Sequence, residues 1–385
     1  MAFNVLLILS AIAAAVPVIF SIWNMRLLKS PSIPVATDLV KENLPTVSIL
    51  IPARNEENRI GAALESIAAE SESILETIVL DDGSSDGTKS VIQGFEKRIR
   101  GLRIIDGQEL PAGWCGKNFA CWQLAKQASG ELLIYMDADV QLKPGAIAYL
   151  QKFTLNNSQI GLASGIPLQV MGTFWESLLI PQIHFVLLGY LPMVAMRRTL
   201  DPGFAAACGQ LLIVRRDAYF ETGGHSSIAS RIHDGLQLAR HFRKSGFATD
   251  LFDATPLASC RMYDNARDVF HGLAKNATEG MADWKAIFPM SYLLIFGQVL
   301  PVILLGWACL DSASFSLAQK ISVVVVTILG FFPRIFISRR FHLGMLAGLL
   351  QPLSAATLIG IQWYARLKAF FSKSTSWKGR SYPVS

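Results

Sequence analysis

The sequence predicts an α/β domain held between membrane-spanning helices. A strand-then-helix rhythm begins at Thr46, and long uncharged apolar stretches lie near both ends of the chain. Composition agrees: of 385 residues, 51% are hydrophobic and only 17% charged, a skew toward membrane proteins. The length is enough for a soluble domain of ordinary size plus further elements.

The formal net charge is +6, and the basic residues crowd beside apolar segments and at the C-terminus. That placement favours attraction to anionic headgroups at a membrane surface. No Lys/Arg run is interleaved with stacking aromatics, which argues against nucleic acid as a partner. Cys115, Cys121, Cys208, Cys260 and Cys309 are scattered, odd in number and without metal-ligand spacing. They read as free thiols in a reducing compartment.

Residues 2–25 carry no charge, enough for one crossing at ~20 residues per span. Ala11-Ile12-Ala13 could mimic a signal-cleavage site, but no basic residue precedes the apolar run, while Arg26 and Lys29 come after it. An uncleaved anchor over 1–29 is the better reading, with the chain start outside and the residues beyond Lys29 in the cytoplasm. Residues 30–45 hold three prolines and no periodicity, and read as a linker.

The α/β domain is expected over 46–285. Strands are predicted at 47–51, 77–80, 102–105 and 132–136, with helices over 58–69, from Gly87 to about Arg100, and 117–128. Four strands then end in polar loops, at 52–57, 81–88, 106–117 and 137–140. In a right-handed parallel arrangement such loops gather on one edge of the sheet.

Residues 171–196 are apolar but broken by Glu176, Pro181, His184 and Pro192. A crossing there would put Asp137 and Asp139 on the opposite side of the membrane from 197–285, so interfacial or groove-lining helices are expected. The C-terminal membrane region is expected over 286–365. Residues 286–310 are uncharged throughout, 321–338 contain Arg334, and 341–365 are interrupted at Gln351-Pro352. If all three of these segments crossed in addition to the N-terminal anchor, the basic tail, 366–385, would lie outside, against the preference of Arg366, Lys368, Lys373, Lys378 and Arg380. One of the last two segments is therefore expected to be re-entrant or interfacial.

Candidate chemistry centres on Glu131 to Val140, a strand-like run ending in Asp137-Ala138-Asp139. On an extended chain, carboxylates two residues apart face the same way, here at the carboxyl end of a buried strand. The plain alternative is a polar loop after a core strand. Upstream, Asp81-Asp82-Gly83-Ser84-Ser85-Asp86-Gly87-Thr88 also comes after a strand. Its leading carboxylates suit the N3–H of a uracil or the hydroxyls of a ribose, while Ser84, Ser85 or Asp86 suits the cap of the next helix.

Taken with Ile51-Pro52-Ala53-Arg54-Asn55-Glu56-Glu57, these co-ordered motifs resemble the family 2 glycosyltransferases of the GT-A fold, over roughly residues 46–260. Leu110 to Lys117, Gly223-Gly224-His225, His233-Asp234, Arg261-Met262-Tyr263 and Trp377-Lys378-Gly379-Arg380 are similar to a membrane-anchored, lipid-directed branch. That branch includes carotenoid and hopanoid-associated glycosyltransferases and, more distantly, ceramide glucosyltransferase. The resemblance implies a Rossmann-like mixed sheet with flanking helices, plus N- and C-terminal transmembrane helices.

It also implies roles. Asp81 and Asp82 would hold the nucleotide base and ribose, with Pro52, Arg54 and Glu56 beside them. Asp137 and Asp139 would bind Mg²⁺ or Mn²⁺ bridging the donor diphosphate, with Lys117 as a cation nearby. Asp234 aligns as the base, in the pattern Asp-x-x-Leu-x-x-x-x-x-x-x-Gly that the chain approximates up to Gly246. His233 stands where the family has another acid, and would share base duty or orient Asp234.

Other positions keep two readings. Lys117 is a cation by the diphosphate or a solvated first-turn residue, Asp234 a base or a helix N-cap carboxylate, Trp114 a site residue or a core anchor, His225 an acceptor contact or a turn residue, and Arg261 a partner of phosphate or of a core carboxylate. Trp377 and Arg380 are similar to the tryptophan-arginine motif of processive synthases, although the literal Gln-x-x-Arg-Trp is absent. They equally suit an interfacial aromatic and a snorkelling arginine.

The expected function is an integral membrane, inverting glycosyltransferase with a cytoplasmic catalytic domain. It would move one sugar from a nucleotide sugar, UDP-linked, to a lipid acceptor. The rivals are transfer to a polyprenyl phosphate, polysaccharide synthesis, and a silent nucleotide-sugar-binding scaffold.

Overall fold

The computed structural model describes residues 2–28, 43–372, 374–377 and 380–383. Most of the expected linker, and Lys378-Gly379 of the tail motif, lie outside the described residues. The chain divides into two compact units: residues 28–170 with 193–262, and residues 1–27 with 171–192 and 263–385.

The first unit is built on eight strands: β1 (Val47–Ala53), β2 (Glu76–Asp81), β3 (Leu102–Asp106), β4 (Leu132–Met136), β5 (Val140–Leu142), β6 (Ile160–Gln169), β7 (Leu211–Arg215) and β8 (Ala248–Cys260). Their order in the sheet is β3-β2-β1-β4-β7-β6-β8-β5. The four strands on the β3 side run parallel, as the strand-helix rhythm predicts. From β7 onward the sheet is mixed, since β7 lies antiparallel to both β4 and β6.

Alternation along the strands separates two cores. Ile49, Ile51, Val79, Ile134 and Ile213 face one side, where they pack with α2 (Ile60–Ala68) and α5 (Ala146–Asn156). Leu50, Ile78, Leu80, Leu133 and Leu212 face the other, against α4 (Gly116–Gln127), α9 (Arg216–Glu221) and α10 (Asp234–Lys244). A strand buried on both faces reads as a continuous apolar run. That property made β1, β2 and β4 visible in the sequence.

The helix expected to reach Arg100 is shorter, α3 (Thr88–Gln93). Beyond Gly94 the backbone bonds tighten to three-residue spacing, as in Phe95 N to Ile92 O and Arg98 N to Phe95 O. One further helix, α8 (Met193–Arg198), belongs to this unit.

The second unit contains α1 (Ala2–Leu27), α6 (Phe174–Leu179), α7 (Pro181–Tyr190), α11 (Ala266–Ala277), α12 (Trp284–Leu294), α13 (Leu300–Leu310), α14 (Leu317–Arg340), α15 (Met345–Gly348) and α16 (Gln351–Ser372). A π-helical turn, Ile295–Val299, joins α12 to α13. Three helical stretches among the described residues are long and apolar enough to cross a membrane: Ala2–Leu27, Trp284–Leu310 and Leu317–Arg340. The helix α16 is not one of them.

Small residues let these helices meet closely. A Cβ on Gly297 would lie 2.9 Å from the carbonyl of Ala13, and one on Gly330 would lie 2.9 Å from the carbonyl oxygen of Gly297. Close backbone approach is how helices associate where no hydrophobic drive separates them from lipid. Two of the breaks noted at 171–196 mark helix starts: Thr173 and Glu176 form a reciprocal cap on α6, and Pro181 opens α7, which runs on through His184. The side-chain amide of Asn24 donates to the carbonyls of Leu188 and Leu191 at 2.9 and 2.7 Å, tying α1 to the end of α7.

Candidate active site

The site is assembled at the carboxyl ends of β1, β2 and β4. The loops after β1 and β2 are stitched together across adjacent strands. Asn55, in the left-handed region at φ 53°, donates its amide to Ser84 Oγ at 3.0 Å and accepts the Ser85 amide at 2.8 Å. The Glu56 amide donates to Thr88 Oγ1 at 2.8 Å, and Glu57 Oε2 accepts the Gly87 amide at 3.0 Å. Of the three capping candidates, Asp86 takes the first amide of α3, at Thr88, while Ser84 and Ser85 bind Asn55.

This brace fixes the acidic pair. Asp81 and Asp82 are buried at the end of β2, and Asp81 Oδ1 accepts the Ser84 amide at 3.1 Å. Arg54 donates to the carbonyl oxygen of Asp82, and Pro52 lies in register with Leu80 on the neighbouring strand.

At the end of β4, the Asp137 amide donates to the carbonyl of Gln210, extending the β4–β7 pairing by one rung. Asp139 turns inward, and its Oδ1 is buried with no hydrogen-bond partner. Burial, then the charges of Asp137 and Glu56, hold the Asp139 carboxyl above the ordinary carboxylate range. Behind it, Gln210 donates to Cys260 Sγ at 2.7 Å and accepts from the Gln169 amide at 3.0 Å.

Two hard carboxylates, one with an orphaned oxygen, fit a Mg²⁺ or Mn²⁺ ion. No cluster of three His, Cys, Asp or Glu suited to an ion occurs among the described residues, so oxygens from substrate or water would complete the shell. All five cysteines are free thiols, as their spacing predicts.

Lys117 joins the two ends of the site. Its Nζ lies 2.7 Å from Asp137 Oδ1 and 2.8 Å from Asp234 Oδ2. Burial disfavours the ammonium, but Asp137 and Asp234 outweigh it and hold the lysine well above its usual range. The local scaffold explains how residues 117 and 234 meet. Asn118, wholly buried, donates to the carbonyls of Ile228, Ala229 and Arg231 at 2.8, 3.2 and 2.8 Å. Those residues lead into α10, whose first residue is Asp234.

Glycines bring the backbone in from the other side. A Cβ on Gly209 would lie 2.9 Å from Asp234 Oδ1, and one on Gly235 would lie 2.8 Å from the Gly209 nitrogen. Asn118, Gly209, Gln210 and Gly235 escape a motif reading. An amide buried next to Lys117 was the one signal available.

The structure does not bring every expected residue to this centre. His225 is enclosed, 1% exposed, with Nδ1 2.9 Å from the Tyr219 hydroxyl and its ring 5.0 Å from that of Tyr135. Burial holds its imidazole down, to about 4. Of its two readings, the turn residue fits the structure, since His225 lies in a 3₁₀ turn, Gly224–Ile228, with its ring packed against Tyr219 and Tyr135. His233 precedes α10 and is half-buried. Trp114 is half-buried, edge-on to Phe119 at 5.2 Å. Arg261 is exposed, directly after β8. Trp377 and Arg380 are backbone register partners in a two-strand hairpin, β9 (Ser374–Trp377) and β10 (Arg380–Pro383), in the second unit.

Residues 48–222 match the family model described as Glycosyl transferase family 2. They form a family 2 glycosyltransferase domain. The matched stretch contains Asp81, Asp82, Lys117, Asp137 and Asp139, and it ends before Asp234.

The whole chain has relatives of similar length. It is 28% identical over 357 residues, 89% of this chain and 90% of the relative, to "4,4'-diaponeurosporenoate glycosyltransferase" of Staphylococcus aureus strain MRSA252. The protein of that name in strain N315 is 27% identical over 362 residues, 91% of each chain. Among solved structures, the mannosyltransferase PcManGT from Pyrobaculum calidifontis, in complex with GDP-Man and Mn²⁺, superposes with a TM-score of 0.57. It is 18% identical and covers 97% of this chain and 100% of its own, a likeness of fold. The family 2 domain thus has the GT-A-like mixed sheet that the motifs imply, in a chain with apolar helices at its start and in its C-terminal region.

Proposed function

We propose that this family 2 enzyme transfers a single sugar, with inversion, from a UDP-sugar to a lipid acceptor at the cytoplasmic face of a membrane. The supporting observation is the double ion pair of Lys117, which draws Asp137 and Asp234 into one site although 97 positions separate them (234 − 137). A site for metal and diphosphate beside a site for acceptor deprotonation is what a single-displacement transfer requires.

In this reading Asp81 and Asp82 bind the base and ribose, with Pro52, Arg54 and Glu56 shaping that end. Asp137 and Asp139 would hold Mg²⁺ or Mn²⁺, which supplies Lewis-acid stabilisation of the departing diphosphate. Lys117 adds a fixed ammonium where negative charge builds. Asp234 takes the acceptor's proton, and its pairing with Lys117 keeps it ionised for that role. His233 orients it, while Trp114 and Arg261 flank the approach.

The membrane orientation rests on counting crossings. With three, the sheet unit after Arg26 is cytoplasmic, 311–316 lie outside, and Arg339, Arg340 and the basic tail return to the cytoplasm. Then α16 rests at the interface, and the conflict raised by a fourth crossing disappears. The catalytic domain is proposed over 46–285, of which the compact sheet unit supplies the parts up to Val170 and from Met193 to Met262.

Membranes containing the protein, incubated with labelled UDP-glucose, UDP-galactose, UDP-N-acetylglucosamine and GDP-mannose, test the proposal through mass analysis of the lipid extract. One added hexose from a UDP-sugar is expected. A ladder of products would point to a polysaccharide synthase. No labelled lipid from any donor, with the protein shown to be folded, would overturn transfer to lipid.

A second reading is favoured by the relatives' printed name, which denotes a carboxylate. An acid acceptor is already ionised, and a sugar ester would form without a base. Transfer to the acid by Asp234→Asn but not to an alcohol would establish it.

A further inference from the structure

The membrane unit buries an arginine that its own residues do not neutralise. Arg334 lies within the candidate span Leu317–Arg340 and is wholly buried. A guanidinium has five donors in a planar fork, yet this one makes two long hydrogen bonds. They run to Ser338 Oγ at 3.3 Å and to the carbonyl of Ser177 at 3.5 Å. Its Nε has no partner, and it forms no ion pair with any described residue.

The neighbouring acid does not answer it. Glu176, beside Ser177, directs its Oε2 to the amides of Gly172 and Thr173 at the start of α6. His184, also buried, is within electrostatic reach of Arg334, and its Nδ1 has no partner. A charge inside a membrane segment is costly, and such residues face an interior where they meet a partner or a ligand. Here the interior holds a cation and an open ring nitrogen, and Glu176, the buried acid beside them, is committed to the cap of α6.

We propose that Arg334, with His184 beside it, binds the anionic head group, a carboxylate or phosphate, of a membrane amphiphile. The planar fork matches either oxyanion two-pronged. The head group replaces the Ser177 carbonyl, the longer of the two existing contacts, and the amphiphile's tail lies among apolar helices. Nothing in this assignment depends on sugar transfer, so it stands or falls separately from the donor experiment.

The test uses the full-length protein in a neutral detergent, with thermal unfolding monitored as amphiphile is added. Oleate and dodecyl phosphate are expected to raise the midpoint of the wild-type protein by roughly 3 to 6 °C at saturation. Oleyl alcohol, free acetate and free phosphate are expected to leave it unmoved. Arg334→Gln is expected to abolish the rise, and Arg334→Lys to weaken apparent affinity about tenfold, because a point charge loses the two-pronged geometry. If Arg334→Gln fails to fold, Arg334→Lys and His184→Asn decide, both expected to bind oleate more weakly than wild type. Equal stabilisation by the alcohol, by free anions, or of the variants and wild type alike would overturn the proposal.

Discussion

Lys117 in the sheet unit and Arg334 in the membrane unit are both cations withdrawn from water, and their surroundings differ in kind. Lys117 is met by two carboxylates within 2.8 Å. Arg334 meets one hydroxyl and one carbonyl at 3.3 and 3.5 Å. The sheet unit has thus balanced its charge from within, across elements far apart in sequence, while the membrane unit has left its charge open. A buried charge that is already paired organises a site. One that is not paired is poised to receive a ligand. The contrast can be broken at either end.

The largest expected effect comes from Asp234→Asn. Loss of a general base lowers turnover on a hydroxyl acceptor by about 10²- to 10⁴-fold. Shape is conserved, so unfolding midpoint and donor binding should change little. Near-normal turnover with an alcohol acceptor would remove Asp234 from that role.

Lys117→Met comes next. It leaves Asp137 and Asp234 without their shared cation in a half-buried setting, at a cost of about 3 kcal/mol. Denaturant titration measures it. Mn²⁺ should recover more stability in this variant than in the wild type, since Asp137 then lacks the ammonium as a competing partner. Equal Mn²⁺ responses would mean that the ion does not use Asp137.

How much of this was legible in the sequence depends on whether a residue acts locally or across the fold. The Asp-x-Asp and Asp-Asp-Gly motifs were legible because each ends an apolar strand, although Ala138 and Asp139 lie in a turn closed by Val140 N to Asp137 O and not on an extended pleat. Asp234 was reached by resemblance. The pairing of Lys117 with Asp234 was beyond reach, because it depends on Asn118 gripping the 228–231 carbonyls and on two glycines, 209 and 235, touching. Strands β5 to β8 were missed because their pairing is mixed and long-range, antiparallel at β4–β7, β7–β6 and β8–β5 but parallel at β6–β8, with no strand-helix rhythm to announce it. His225 kept two readings because Gly-Gly-His announces the turn, while the enclosure of its ring depends on Tyr219 and on Tyr135 of β4.

That enclosure gives a pH signature of intermediate size. His225 faces Tyr219 and Tyr135 directly, with Asp234 and Lys117 acting at longer range. Its pKa is held down to about 4 in the folded protein, against about 6.5 unfolded. The unfolded chain therefore takes up the proton first. The contribution is complete above pH 6.5 and is lost as pH falls through 4, by at most about 3 kcal/mol. Stability curves of wild type and His225→Gln over that window should converge toward acid. Parallel curves would show that the ring is charged or solvated in the fold.

The smallest effect sharpens the comparison most. In the sheet unit, Asn118→Leu removes the side-chain donor shared by the Ile228, Ala229 and Arg231 carbonyls, of which the first two keep backbone donors, and about 2 kcal/mol should be lost. The membrane unit has its own buried amide at Gln351, which accepts from Gln182 at 2.7 Å and donates to Gln298 at 3.2 Å. Hydrogen bonds between membrane helices are worth about 0.6 kcal/mol each, because the unfolded chain in lipid also finds partners. Gln351→Leu should therefore cost about 1 kcal/mol, roughly half the sheet-unit value, although both residues are buried. Gln298 lies in a π-helical turn and its Nε2 already lacks a partner, so this strand of polar contacts is weakly satisfied from the outset. Unfolding of both variants in the same detergent checks the ratio. A loss at Gln351 equal to that at Asn118 would mean that the glutamine chain is a structural clamp, and that the polar interior of the membrane unit is as fully committed as the paired charges of the sheet unit.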